Sequence, residues 1–271
     1  MAGQILGERY RVEKQLGHKA GRWTLLATDL TTERPVVLKL ISVDEELHPD
    51  SLRLFERELS TLQHLEHPSI PRYLESFDIE LPRGKTALVL VESYVEGTSM
   101  DKYLEQGRTF SETAVKHIAA GVLDVLIYLH GQSPPILHRD IKPSSILLST
   151  PPGERTQIYL VNFGSVKPIA PAHNHNTISA LVGTQGYIAP EQLGGRALER
   201  SDLFSLGMTL TTTITGCAPD KLPCPPEMTV KALSLSPRFS AWLTCLTDSD
   251  PHCRPASAQA ALDTLCWPEP V

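Results

Sequence analysis

His138-Arg139-Asp140-Ile141-Lys142-Pro143 and Asn162-Phe163-Gly164 are the stretches on which the reading of this chain turns. Before the first, Val115, Ile118, Val122, Leu126 and Leu129 recur every three or four residues, which predicts a buried helix over 111–130 that stops near Gly131. Before the second, the apolar run 158–161 predicts a short strand. Ala189-Pro190-Glu191 begins 25 positions after Gly164. Any one of these strings is too short to mean anything alone. Their order, and the elements they follow, carry the signal.

Outward from that centre, residues 1–92 read as strands with one helix. Residues 10–13 alternate, 23–27 are apolar, and 35–41 (PVVLKLI) are rich in β-branched residues around a single lysine, Lys39. Over 51–64 the period changes. Leu52, Phe55, Leu59 and Leu62 recur at helical spacing with Arg53, Glu56, Arg57 and Glu58 between them, as in an amphipathic helix. Strands resume at 72–80 and 86–91. Further along, helices are expected over 202–215 and 257–265, with Ser257 placed to cap the second. The aperiodic segment 165–186 reads as a long loop, and such loops are usually functional or disordered. The expected fold class is α+β: a small β-rich part over 1–92, a junction at 93–97, and a larger, mainly helical part over 98–271.

Composition sets the outer limits. With 25 Lys+Arg against 31 Asp+Glu in 271 residues, the formal charge is −6, which argues against nucleic acid or an anionic membrane as the main partner. Small phosphates need only a local site. A hydrophobic fraction of 41% suffices for a sizeable core and removes the disordered, collagen-like and coiled-coil classes. No run reaches the roughly 20 apolar residues of a bilayer span, and Met1-Ala2-Gly3-Gln4 lacks the basic and apolar regions of a signal peptide. The five cysteines (Cys217, Cys224, Cys245, Cys253, Cys266) form no Cys-x-x-Cys pair, so reduced thiols in a cytoplasmic protein are expected rather than disulfides or zinc. His173-Asn174-His175 offers metal-binding residue types but reads first as polar loop.

Taken together, Lys39 in VVLK, the 138–143 stretch, Asn162-Phe163-Gly164 and Ala189-Pro190-Glu191 resemble the protein kinase signature set. Gly183-Thr184-Gln185-Gly186-Tyr187-Ile188-Ala189-Pro190-Glu191-Gln192 and Ser201-Asp202-Leu203 look most like bacterial Hanks-type Ser/Thr kinases, and the resemblance covers roughly residues 8–266. It implies a bilobal protein-kinase fold. It also implies roles: Gly17 opens the phosphate loop, Lys39 holds the α/β-phosphates of ATP, Glu58 braces it, Asp140 accepts or orients the substrate hydroxyl, and Lys142 sits near the transferring phosphate. By the same resemblance His138 and Phe163 pack into an apolar spine with Leu62, and Glu191 pairs with Arg254 as a buried structural ion pair. The 165–186 loop matches the activation loop. Thr177, Ser179 and Thr184 are hydroxyls there, Arg139 is the residue type that pairs with a phosphorylated one, and Thr184 is expected to hydrogen-bond near Asp140.

The departures from the family pattern matter as much as the matches. The family carries a Mg²⁺-binding Asp before Phe-Gly, and here that position is Asn162; its second metal ligand, an Asn five residues after the catalytic Asp, is Ser145 here. Mg²⁺ favours carboxylate oxygens in near-octahedral geometry, so an amide and a short hydroxyl remove most of the hold on it. ATP's charge is then poorly neutralised. Gly17 lies 22 residues before Lys39, as the family spacing requires, but Lys19 and Arg22 stand where further glycines are expected. Side chains there hold the backbone off the phosphates, or offer charge in their place. Val37 adds bulk to the roof of the adenine pocket. Glu92 falls either at the pocket's inner gate, where an apolar residue is usual, or towards solvent.

These departures point to a pseudokinase. The expected role is a scaffold or allosteric partner of another protein, such as a kinase or signalling protein, with ATP binding weak or Mg-independent and no nucleic-acid or membrane partner. The alternative is an active Ser/Thr protein kinase with atypical metal use, which the intact Lys39, Glu58, Asp140 and Lys142 support. A third reading keeps the fold but transfers another part of the nucleotide. Because the resemblance occupies nearly the whole sequence, a partner is expected to dock on the kinase fold itself, rather than on a receptor, sensor or anchor segment.

Overall fold

The structure, a computed structural model, describes residues 2–19, 21–43, 49–81, 85–150, 153–165, 167–168, 183–222 and 226–265. Two units emerge, Met1–Glu96 and Gly97–Val271. In the first, strands β1 (Ile5–Leu6), β2 (Tyr10–Lys19), β3 (Arg22–Asp29), β4 (Pro35–Val43), β5 (Tyr73–Leu81) and β6 (Lys85–Ser93) form an antiparallel sheet of order β1-β2-β3-β4-β6-β5, with helix α1 (Pro49–Leu62) between β4 and β5 in sequence. Strand side chains alternate between faces. One face carries the core of the unit, with Val12, Leu25, Ala27, Val36, Leu38, Leu40, Val89 and Val91 packed on Tyr10. The other face carries Val37, Lys39 and Ile41 of β4 and Leu90 and Glu92 of β6.

Helix α1 forms where expected, but it turns a different stripe inward. Phe55, Glu58, Thr61 and Leu62 are its buried residues, whereas Leu52 and Leu59 are only half-buried. Its inward face includes a carboxylate because a buried cation on β4 draws it there, as described below.

The second unit runs β7 (Thr98–Ser99), α2 (Met100–Glu105), α3 (Glu112–His130), β8 (Ile136–Leu137), β9 (Ile146–Ser149), β10 (Gln157–Leu160), β11 (Lys167–Pro168), α4 (Pro190–Leu193), α5 (Glu199–Thr215), α6 (Pro226–Ala232), α7 (Pro237–Leu246) and α8 (Ala258–Leu265). Helix α3 is capped by Ser111, whose hydroxyl accepts from the Ala114 N–H. Contrary to the expectation from the sequence, α3 is long and apolar enough to cross a membrane by length and composition alone. Here it is a core helix, with Val115, Ile118, Val122, Leu126 and Leu129 all buried. Its Gly121 is required by packing, since a Cβ there would lie 2.6 Å from Cβ of Ile158.

Helix α5 begins at Glu199, before the expected 202, because the Ser201 hydroxyl accepts from the Leu198 N–H and closes the first turn. Residues 201–213 are all buried. Its hydroxyls therefore need internal partners, and Ser205, Thr209, Thr211 and Thr213 each donate to the carbonyl four residues back. Helices α2, α4, α6 and α7 go beyond the sequence reading. Helix α7 starts at Pro237, a residue suited to a first helical position, and buries Phe239, Trp242, Leu243 and Leu246. The Trp242 indole N–H donates to the Ala261 carbonyl at 2.9 Å and ties α7 to α8.

Candidate active site

In the first unit the site is built on the sheet face opposite the core. β4 pairs with β6 in a register that sets Lys39 opposite Leu90 and Val37 opposite Glu92. Lys39 and Glu92 are thus diagonal neighbours on one face, within reach of long side chains. The Lys39 ammonium lies 2.6 Å from Glu58 Oε1 and 3.0 Å from Glu92 Oε1. All three side chains are nearly closed to solvent, at 11% exposure for Lys39 and 6% for each glutamate. Burial alone would depress the lysine, but Glu58 and Glu92 outweigh it and hold the ammonium above its ordinary value. Burial pushes the Glu92 carboxyl up, and although Lys39 opposes this, the charge of Glu58 reinforces it. Glu92 therefore faces inward and not towards solvent. The strand register is the signal that would have found it.

Gly17 sits in β2, opposite Thr24, at an irregularity in the β2–β3 ladder. A Cβ at Gly17 would meet only Thr24, at 4.0 Å, so packing does not demand glycine there. The ladder continues to Lys19 opposite Arg22. The half-buried Arg22 guanidinium donates to the backbone carbonyl of Ser51.

In the second unit, the loop between β8 and β9 is held by its backbone. Asp202, fully buried in α5, accepts the N–H groups of His138 at 2.9 Å and Arg139 at 2.7 Å. His130 Nε2 lies 3.0 Å from the same carboxylate. Burial pushes Asp202 up, but the His130 contact and the Arg139 N–H outweigh it, and the carboxyl lies below its usual range. Gln192 donates to the Arg139 carbonyl at 3.1 Å, and Thr209 donates to that of Ile141 at 3.2 Å. Arg139 adopts a positive φ of 67°. His138 is buried edge-to-face on Phe163, with ring centroids 5.1 Å apart. Its Nε2 lies 3.2 Å from the Val161 carbonyl, and burial keeps the imidazole below its ordinary pKa. A neutral ring donating through Nε2 fits that contact.

On this frame Asp140, Lys142 and Thr184 close a triangle. The Lys142 ammonium donates to Asp140 Oδ2 at 2.7 Å and to the Thr184 hydroxyl at 2.6 Å, and that hydroxyl donates to Asp140 Oδ1 at 2.8 Å. A carboxylate held by two donors is fixed in direction, as a group that orients an acceptor hydroxyl must be.

The two positions where the family would hold a metal are engaged differently. β9 and β10 pair antiparallel, and the Val161 N–H donates to the Ser145 carbonyl, which brings Asn162 beside residues 144 and 145. Ser145 is fully buried and its hydroxyl donates to the Asp140 carbonyl at 2.9 Å. Asn162, at a positive φ of 70°, donates its amide to the Ser144 carbonyl at 3.2 Å. A hard divalent cation needs oxygen ligands, preferably anionic. Neither position supplies a carboxylate: Ser145 offers a hydroxyl whose proton is turned into the backbone, and Asn162 a neutral amide. Among the described residues no group of three His, Cys, Asp or Glu is placed to hold a metal ion.

Glu191 and Arg254 form a two-pronged ion pair at 2.7 and 3.0 Å, with Ser201 donating to Glu191 at 2.6 Å. Thr177, Ser179, His173, His175, Cys224 and Cys266 lie outside the described residues, as does the Lys19 side chain.

A buried strand lysine braced by a helix glutamate in one unit, and an Asp-Lys-Thr triangle on a pinned loop in the other, define the class of protein kinases. The chain belongs to the protein kinase domain family, whose model matches residues 10–262. It is 32% identical over 281 residues to the serine/threonine-protein kinase PknA of Nostoc sp., covering 97% of this chain and 48% of that protein. It is also 34% identical over 230 residues to serine/threonine-protein kinase C of Synechocystis sp., covering 81% of this chain and 41% of that protein. With PknB of Mycolicibacterium smegmatis the identity is 29% over 218 residues, covering 80% of this chain and 34% of that protein. The chain thus spans half or less of the length of these Hanks-type relatives.

Proposed function

We propose that this chain is a pseudokinase: a protein-kinase fold that serves a protein partner as scaffold or allosteric effector, with Mg-dependent ATP binding and phosphoryl transfer weak or absent. The observation that carries this reading is the use made of the two metal positions. Ser145 and Asn162 each donate to the backbone of the 140–145 loop and neither brings the carboxylate oxygen that a hard divalent cation prefers. With no carboxylate at either position, the phosphates of ATP lose their main source of charge neutralisation. Lys39, Glu58 and Gly17 remain as the nucleotide-facing set and Asp140 and Lys142 as the acceptor-facing set, the latter a vestige of transfer chemistry.

The second reading is an active Ser/Thr kinase with unusual metal use. The closed Asp140–Lys142–Thr184 triangle favours it, since these groups keep the arrangement that acceptor positioning needs. ATP titration with and without Mg²⁺ or Mn²⁺, followed by thermal shift, separates the two, because a ligand that binds only the folded state raises the melting temperature. No metal-dependent shift and no labelled phosphate on added protein substrates are expected. A metal-dependent shift together with transfer of label overturns the pseudokinase reading.

A further inference from the structure

Lys39 is the group on which nucleotide binding in the first unit depends, and its ammonium has two carboxylate partners. Glu58 reaches it from α1 at 2.6 Å and Glu92 from β6 at 3.0 Å. Around this cluster, the half-buried Arg22 guanidinium of β3 feels the charge of Glu58 while donating to the Ser51 carbonyl. Glu92 thus closes a row of alternating charges, and among the described residues its ion-pair partner is Lys39. An anionic oxygen therefore already occupies one side of the ammonium. That oxygen belongs to a strand residue in the middle of a paired register, so it is held by the sheet and not by a mobile loop.

We infer that Glu92 is a built-in competitor of nucleotide phosphate for the Lys39 ammonium, so that the chain discriminates against polyphosphates and not against the nucleoside part of a ligand. The inference rests on the assignment of Lys39 as the phosphate-holding lysine. Two effects combine. Glu92 takes one of the donor directions of the ammonium, and its negative charge repels an incoming phosphate across a poorly screened, buried space. A like charge within a few ångströms commonly shifts a charge-dependent equilibrium by about tenfold or more. Burial and the neighbouring Glu58 already strain the Glu92 carboxylate towards its neutral form, so removing its charge costs the cluster little.

The test compares the full chain with Glu92→Gln, measuring dissociation constants for adenosine, ADP and ATP without added metal by calorimetric titration. Glu92→Gln is expected to tighten ADP and ATP by about tenfold or more while adenosine stays within about twofold. Adding Lys39→Met to Glu92→Gln is expected to abolish the gain. Equal ATP affinity in the wild type and Glu92→Gln overturns the inference, as does a complete lack of nucleotide binding by both. An equal gain for adenosine also overturns it, because that would mark Glu92 as an obstacle of size and not of charge. Glu92→Met, unbranched and apolar, gives the same ratio should the glutamine variant not fold. Failure of the pseudokinase reading shows separately, as transfer of labelled phosphate by the wild type with metal.

Discussion

Two clusters of charge, one in each unit, use the same functional groups to opposite ends. In the C-terminal unit Arg254, fully closed to solvent, meets Glu191 through two prongs and also donates to the carbonyls of Arg200, Asp248 and Ser249. Its guanidinium lies over the Phe204 ring at 4.9 Å. Burial pushes the Glu191 carboxyl up, but the bonds from Arg254 and Ser201 outweigh it and the net shift is downward. In the N-terminal unit the Lys39 ammonium serves two carboxylates, and the net shift of Glu92 is upward. The first cluster is balanced and finished; it needs nothing further and is explained by folding alone. In the second, two carboxylates share one ammonium, and burial together with the neighbouring Glu58 disfavours the charged form of Glu92.

The largest effect expected on this contrast is that of Arg254→Met. Removing one partner of a buried ion pair costs about 3–5 kcal/mol, because the other charge is left without its counter-ion. Urea denaturation of the full chain should show it, and a loss below about 1 kcal/mol would erase the distinction between the clusters. Next comes Glu191→Gln, which keeps the shape but loses the charge-assisted bonds, expected to cost about 1.5–3 kcal/mol at neutral pH. Glu191 titrates lower in the folded chain than in the unfolded one. Its contribution is therefore present above the unfolded carboxyl value and is lost as pH falls through the folded one. The gap between wild type and Glu191→Gln should narrow in acid, as denaturation at two pH values would show.

Asn162→Asp comes third. It sets an acceptor against the Ser144 carbonyl in place of a donor, an expected loss of about 1 kcal/mol at neutral pH, in line with one exposed hydrogen bond. Thermal shift with Mg²⁺ should then rise in Asn162→Asp and not in the wild type. The smallest change is expected for Glu92→Gln, within about 1 kcal/mol, since Lys39 keeps Glu58. Here the sign of the pH dependence reverses. Glu92 titrates higher in the folded chain, so its contribution is complete below the unfolded value and is lost as pH rises towards the folded one. Glu92→Gln should therefore gain on the wild type from acid to neutral pH, opposite in trend to Glu191→Gln.

What could be read from the sequence divides along lines of distance. Local signals were legible. The apolar period of α3, the cap at Ser257, whose hydroxyl accepts from the Ala260 N–H, the single lysine in the VVLK strand and the order of the short motifs located the fold and most of the candidate site. The Glu191–Arg254 pair came from the family resemblance. What depended on pairing between distant segments was not legible. Whether Glu92 faces inward follows from the β4–β6 register, and the partner of the Asn162 amide follows from β9 against β10. Helix α5 was legible over 202–215, threonines included, and only its first turn, closed by the Leu198 N–H donating to the Ser201 hydroxyl, lay outside the reading. Helix α7 lies outside the sequence reading, although Phe239, Trp242, Leu243 and Leu246 form its buried stripe at helical spacing.

The backbone of the 138–142 loop has a consequence for whatever binds there. Asp202 holds two of its N–H groups, and Gln192, Ser145 and Thr209 hold three of its carbonyls. Fixing a free residue's backbone costs about 1–2 kcal/mol of entropy, and in this loop the ordering is completed when the chain folds. A protein that docks on the loop meets a rigid template and loses little freedom in shaping it. Four of these five bonds come from Asp202, Gln192 and Thr209 and involve neither residue 145 nor residue 162, so substitution at those two positions leaves most of the restraint in place.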